Sequence, residues 1–286
     1  MHRVLLDDKL QAEFDKMGYV KVKLFDAETI AELRRFHDEQ KPNERFNTQD
    51  KSVSYHFSFL DSNREYKRKV FETLSKVFSP ALDKYLNSYE PLVINFVNKE
   101  HGLGEVPVHQ NWDFVDEKKY TSVSVWAPLV DVGEKSGALE FIPGTHRTFR
   151  NIHRSPTIPW FFKGYIEDLK RDYLKPITVK AGEALIFDDS IIHYSKPNQG
   201  GYSRLVIQVI AKPAEAPAVH YYRKKSLFKT EYRELIVDQD FFLNFNFHIT
   251  EEPKEVKSSR VVEYQHPRIN YKKFKQIMAE AGLETA

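Results

Sequence analysis

The sequence predicts a mainly β protein with flanking helices, whose core is a double-stranded β-helix, the jelly roll of two facing antiparallel sheets. Three observations predict it. From Pro91 to Lys212 short β-rich runs follow one another ("PLVINFVN", "VPVHQNWDF", "TSVSVWAPLV", "ALEFIP", "PITVKAGEALIFDD", "SRLVIQVIAK"), broken by Gly, Pro and Asp-rich turns. Helical periodicity lies before and after these runs instead of alternating with them, so the helices flank one β unit. The 41% hydrophobic and 14% aromatic residues of a 286-residue chain suffice for a large packed core.

Taken in order, Leu6, Leu10, Phe14 and Met17 fall at helical spacing and Gly18 ends that helix. Val20, Val22 and Leu24 then alternate with Lys21 and Lys23 as an edge-like strand. Asp26 is placed to cap a second helix carrying Ile30, Leu33 and Phe36, and a third runs from about Glu65 to Leu86 with a bend near Pro80. The strands follow, interrupted by "WFFKGYIEDLKRDYL", which reads as a helix or lid. After Lys212 the chain reads as charged and helical, with a polar stretch "TEEPKEVKSSR" before a last helix ending near Gly282. This gives a single domain over 1–212, with N-terminal helices over 1–90 and a jelly-roll core over 91–212. Residues 213–286 follow as a helical extension packed on it.

Charge and composition exclude several function classes. The 43 basic and 41 acidic residues are evenly spread and leave a net charge of only +2, so no footprint for nucleic acid is present. The one basic cluster, Arg223-Lys224-Lys225, reads as a solvated loop. No run of about eighteen apolar residues is available to span a membrane. The acidic residues of "MHRVLLDDKLQAEF" do not suit a signal peptide, so the expected location is cytoplasmic. With no cysteine, disulfides, thiolate catalysis and Cys-ligated metals are excluded, leaving His, Asp and Glu as the strong metal ligands and nitrogen and oxygen as the donor atoms. Oligomeric state leaves no signal in the sequence.

In "VHQNWDFVDE" (108–117), His109 and Asn111 stand two residues apart, which on an extended strand places both side chains on one face while Gln110 points away. This is the spacing of a His-x-Asp metal pair with Asn at the carboxylate position. A second imidazole is available from His193 in "FDDSIIHYSKPNQGGYSR", where a buried-looking strand runs into a turn. Two His and one carboxylate on one octahedral face, with three positions left open, describe a non-haem iron(II) oxygenase site. Arg204, eleven residues after His193, can pair bidentately with the far carboxylate of a dicarboxylate such as 2-oxoglutarate, and Ser195 can donate a hydroxyl to the same group. His56, His101 and His248 have no such company. Asp188 and Asp189 read as capping or solvating their turn, and His146 as hydrogen-bonded within its own loop.

These residues, with "FDKMGYVKVKLFDAETIAELR", "VSVWAPLVDVGEKSGALEFIPGTHR" and "AGEALIFDDSIIHYSKPNQGGYSR", make the chain resemble the phytanoyl-CoA dioxygenase family of iron(II)/2-oxoglutarate oxygenases over about residues 10 to 212. The resemblance implies a cupin-like fold and a dioxygenase using Fe(II), 2-oxoglutarate and O2 to hydroxylate an aliphatic C–H of a small or mid-sized organic substrate. It implies His109 and His193 as iron ligands, Arg204 and Ser195 as the clamp on the 2-oxoglutarate distal carboxylate, and Trp126 beside the cosubstrate. "GALEFIPGTHR" would shape the pocket wall. Around the substrate, the expected surroundings are the 44–64 region, "WFFKGY" and "DFFLNFNFH", aromatic and polar together, with an interface role standing equally open for the last of these.

The departure is Asn111, where the family expects Asp, and four accounts of it stand side by side. The Asn111 amide oxygen can ligate the iron with one negative charge fewer. Asp113 can replace it, although on a fully extended strand it sits about 13 Å from His109 and would need a bulge. The site can be halogenase-like, with halide at the missing carboxylate, although Asn fills much of that space. Or the chain is a catalytically impaired protein that still binds 2-oxoglutarate.

Overall fold

The computed structural model describes residues 2–40, 55–225, 229–244, 252–254 and 256–283. Asp7 starts α1 (Asp8–Met17), its carboxylate accepting from the Lys9 and Leu10 amides. Gly18 stops the helix at φ 84, where a Cβ would sit 2.5 Å from the His146 ring, so only glycine fits. β1 (Tyr19–Lys23) follows, then α2 (Ala27–Glu39), capped as expected by Asp26 on the Thr29 amide. After β2 (His56–Phe57) comes α3 (Arg64–Leu82), which contains Pro80 and ends four residues earlier than its periodicity suggests. Leu86 is instead drawn into a β-bridge with Leu5.

The strands of the jelly roll are β3 (Tyr89–Lys99), β4 (Val106–His109), β5 (Val123–Pro128), β6 (Leu139–Phe141), β7 (Lys175–Pro176), β8 (Glu183–Asp188), β9 (His193–Ser195) and β10 (Arg204–Pro213). A six-stranded sheet in the order β1-β8-β5-β10-β3-β2 faces a four-stranded one in the order β4-β9-β6-β7, and every pairing is antiparallel. In the larger sheet alternate residues serve two cores. Ile94, Phe96, Val125, Ile186, Ile207 and Val209 pack outward on Phe14, Leu33, Leu74 and Phe78 of the helices. Val97, Trp126, Leu185, Phe187 and Val206 face inward onto Leu139 and Phe141 of the smaller sheet. Each large apolar side chain buried in this way contributes roughly 1.5–3 kcal/mol. Burial on both faces explains why these strands read as continuous apolar runs.

Two short helices, α4 (Thr145–Thr148) and α5 (Ile166–Asp172), lie between β6 and β7. The second is the helix expected in "WFFKGYIEDLKRDYL", and Phe162, Tyr165 and Leu169 cluster with Phe274 and Met278 of α7 (Tyr271–Glu280).

The region after Lys212 departs from the helical expectation. β11 (Ala218–Lys225), β12 (Thr230–Val237) and β13 (Ser258–Val262) form a separate antiparallel sheet, and besides α7 only the short α6 (Gln239–Leu243) is helical among the described residues. Charged residues suggested a solvated helix, but they alternate along these strands. Arg233 pairs with Glu231 at 2.8 Å and with Glu252 at 3.0 Å, and Arg260 with Glu234 at 2.7 Å, while Leu235 and Val237 face inward. Arg223-Lys224-Lys225 is accordingly a strand end and not a loop. Among the described residues no helix is long and apolar enough to cross a membrane.

Candidate active site

β4 and β9 are neighbours in the smaller sheet, and their register sets His109 opposite His193 with ring centroids 4.0 Å apart. Each ring is fixed by the carbonyl two residues before it. His109 Nδ1 lies 2.8 Å from Pro107 O, and His193 Nδ1 lies 2.9 Å from Ile191 O. A carbonyl only accepts, so both Nδ1 atoms carry the proton and both Nε2 atoms keep the lone pair that binds a metal. Burial pushes the His109 pKa down to about 4, against a partial counter-effect from Pro107 and the adjoining Asn111 side chain. Burial and then the neighbouring His109 hold His193 well below its usual value. Both imidazoles are neutral at pH 7, the form that ligates.

Asn111 lies just past the end of β4, yet its side chain lines the same cavity as the two histidines. Its backbone N–H donates to Asp189 O at 2.9 Å, and Nδ2 donates to Ser124 Oγ and Asp189 Oδ1, both at 2.8 Å. Asp113 does not reach the site. β4 ends at His109, so strand alternation is not maintained as far as 113 and the same-face argument does not apply there. Asp113 is buried against Arg154, 2.7 Å away, and His153, 3.0 Å away, and is not among the residues that line the cavity. Among the described residues no cluster of three or more His, Cys, Asp or Glu side chains suited to a metal is present.

Two further expectations need correction. Asp188 does cap its turn, accepting from Ser190 N at 2.8 Å, but it and Asp189 are fully buried and not solvated. Asp188 pairs with Arg150 at 2.7 Å, whereas burial pushes Asp189 up to about 7 against hydrogen bonds from Ser124, Asn111 and Ser122. His146 leaves its own loop to bond Asp15 O of α1 at 3.2 Å.

At the other end of the cavity Arg204 is 1% exposed and makes no ion pair among the described residues. Its Nη1 donates to Gly137 O at 2.6 Å and Ser195 Oγ at 3.1 Å, and its guanidinium carbon stands 5.3 Å from the centroid of the Trp126 ring. Burial without a carboxylate pulls its pKa down to about 9. Arg204, Ser195 and Trp126 thus lie together on the cavity wall, with the Ser195 hydroxyl donating to Gly137 O at 2.8 Å and not toward the cavity.

Sequence reasoning missed two residues. Lys99, paired with Arg204 across β3 and β10, is fully buried, and its Nζ donates to Ser195 Oγ at 2.6 Å, Ser195 O at 3.1 Å and Lys196 O at 2.8 Å. Burial and then Arg204 hold it well below the usual lysine value. A lysine closing the apolar run "PLVINFVNK" was the available signal. Asn95, on the row shared with Gln208 and Trp126, lines the cavity, and among the described residues its buried Nδ2 has no hydrogen-bond partner.

The cavity measures about 360 Å³ and runs from Arg204 past the histidines to Phe59, Trp112, Phe114 and Ile210. Of the segments expected near a substrate, Tyr55, Phe57 and Phe59 line it, and Trp160 does so for "WFFKGY". Phe161 and Phe162 turn into the α7 cluster, and Phe242 packs behind Phe114. Residues 44–54 and 245–248, including His248, lie outside the described residues.

Two facing antiparallel sheets in this strand order make the chain a double-stranded β-helix protein of the cupin type. Solved structures with this fold include HygX from Streptomyces hygroscopicus with nickel, 2-oxoglutarate and hygromycin B bound, at 13% identity and TM-score 0.52, covering 73% of this chain and 88% of that one. They also include the epimerase SnoN in complex with Fe3+, alpha ketoglutarate and nogalamycin RO, at 18% identity and TM-score 0.51, covering 74% and 85%. More particularly, the chain belongs to the phytanoyl-CoA dioxygenase (PhyH) family, whose pattern matches residues 14–206. A phytanoyl-CoA dioxygenase domain-containing protein 1 homolog of Dictyostelium discoideum is 30% identical over 147 residues, 49% of this chain and 50% of that protein. The match thus spans about half the length of this relative.

Proposed function

We propose that this protein is an iron(II)/2-oxoglutarate-dependent oxygenase that hydroxylates an aliphatic C–H bond of a small or mid-sized organic substrate. In this reading His109, His193 and the Asn111 carboxamide oxygen hold the metal, and Arg204 holds the distal carboxylate of 2-oxoglutarate, positioned by Ser195, whose hydroxyl accepts from Arg204 at 3.1 Å and donates to Gly137 O at 2.8 Å. The observation that carries it is Arg204, a guanidinium 1% exposed without an acidic partner among the described residues. A buried charge of this kind is costly unless something pairs with it, and a dicarboxylate would. The residues fit the cofactors: two lone-pair imidazole nitrogens and an amide oxygen lie at the metal end, and an unpaired cation at the other.

When bound, the iron and 2-oxoglutarate supply dioxygen activation, one oxygen atom ending in the substrate hydroxyl and the other in succinate while carbon dioxide leaves. The chain's own part is orientation and exclusion of water. Trp126 walls the guanidinium, and Asn95 Nδ2 offers a donor on the same face that has no partner among the described residues. Phe59, Trp112, Phe114 and Ile210 form an apolar chamber beyond the histidines, suited to a largely apolar body. HygX and SnoN hold metal and 2-oxoglutarate in the same fold, which agrees with this reading. A halogenase-like site needs an open ligand position at 111, and the Asn111 side chain, held by two hydrogen bonds, occupies it.

The test is iron-dependent succinate formation from 2-oxoglutarate under air by the full chain, expected for the wild type and lost in His193→Ala. Binding of 2-oxoglutarate without succinate from any trial substrate would make the protein a non-catalytic binder.

A further inference from the structure

We propose that Asp189 is a positioning residue for the metal centre: it holds the Asn111 carboxamide so that the oxygen, and not the nitrogen, is offered to the metal beside His109 and His193. It also carries, one hydrogen bond further out, the carboxylate that a His-x-Asp pair would carry at position 111. This rests on the reading of the metal site given above.

The hydrogen bonds determine which way the amide faces. Ser124 Oγ donates its proton to Asp189 Oδ1 at 2.6 Å, so toward Asn111 it can only accept. A carboxylate oxygen also only accepts. Both neighbours of the Asn111 side chain on this side, Ser124 Oγ and Asp189 Oδ1, therefore require its NH2 group, and a flipped amide would set its oxygen against two acceptors. The oxygen is left for the cavity side, and an amide oxygen ligates a hard divalent cation where an amide nitrogen does not. The backbone locks the same pair, through Asn111 N to Asp189 O at 2.9 Å and Asp189 N to Ser122 O at 3.3 Å.

Asp189 differs from its neighbour in a way that points to the metal. Asp188 is neutralised by Arg150 at 2.7 Å. Asp189 is equally buried, but the side chains that bond it, Ser124, Asn111 and Ser122, are all neutral, and among the described residues it forms no ion pair. A divalent cation on the far side of the Asn111 amide is the partner its charge lacks. The turn that carries Asp189 also delivers His193 four residues later, so one loop supplies a nitrogen ligand and orients the oxygen ligand. The pair Asn111 and Asp189 places the carboxylate of a His-x-Asp site on the residue behind the ligand.

Exchanging them back tests this. Anaerobic calorimetric titration with Mn(II) alone, on the full chain, compares the wild type, Asp189→Asn, Asn111→Asp, the double variant Asn111→Asp with Asp189→Asn, and His193→Ala. Asp189→Asn should weaken Mn(II) binding about 10- to 100-fold, the usual effect of losing a group that orients a ligand. The double variant should return to wild-type affinity or better, because an amide at 189 can donate to a carboxylate at 111 through the same hydrogen bond. The thermal midpoint of the metal-free protein should not fall in Asp189→Asn, which replaces a buried carboxyl lacking a cationic partner among the described residues by an amide of the same shape; a purely structural aspartate would lower it. Mn(II) affinity within twofold of wild type in Asp189→Asn, or no recovery in the double variant, overturns the proposal and leaves the metal site standing. Wild-type binding that is absent, or that survives His193→Ala, overturns both.

Discussion

Residues 109–117 feed two buried polar neighbourhoods that balance their charge in opposite ways. Toward the cavity, His109 and Asn111 meet His193, Asp189 and, further along, Arg204 and Lys99, and neither Asp189 nor the two buried cations has an ion-pair partner among the described residues. On the other side, Asp113 and Glu117 both pair with Arg154, His153 adds a contact to Asp113 at 3.0 Å, and Arg150 bridges Asp188 to the carbonyls of Glu117 and Tyr120. Burial alone would lower the Arg154 pKa, but Asp113 and Glu117 together raise it. A buried charge answered within the chain is architecture, whereas one left unanswered marks where a ligand completes the structure.

The largest effect expected from this contrast lies in the paired network. Arg154→Leu leaves Asp113 and Glu117 buried without their cation and should cost about 3–5 kcal/mol of stability, read from urea unfolding. A loss under about 1 kcal/mol would place those carboxylates among surface pairs, contrary to their burial. Next comes the unpaired cation. Arg204→Ala should raise the 2-oxoglutarate dissociation constant on the order of a hundredfold, about 2–3 kcal/mol, while destabilising the ligand-free chain less than Arg154→Leu does. If instead Arg204→Ala mainly unfolds the protein and leaves cosubstrate affinity intact, Arg204 is architecture too and the contrast fails.

The parts of the site legible in the sequence are those governed by local rules. Period-two alternation predicts His109 and position 111 on one face, and both line the cavity although β4 ends at His109; His193, Ser195 and Arg204 line it as well. The same rule misled at Asp113, because it holds only while the backbone stays extended and β4 ends at His109. Lys99 and Asp189 were not legible, because each acquires its meaning from a partner far away in sequence: Arg204 across the β3–β10 register, and Asn111 across the turn before His193. The C-terminal sheet was missed for a related reason. Its charges neutralise one another between strands, as Arg260 does with Glu234, and a chain read one window at a time shows only a charged segment.

The central claim, that the cavity and not the neighbouring charge network holds the metal, is tested most directly by the weak visible absorption that iron(II) chelated by 2-oxoglutarate gives under anaerobic conditions. The band should appear in the wild type and in Asp113→Asn and be absent in His193→Ala. A band that survives His193→Ala, or that disappears with Asp113→Asn, would contradict the account.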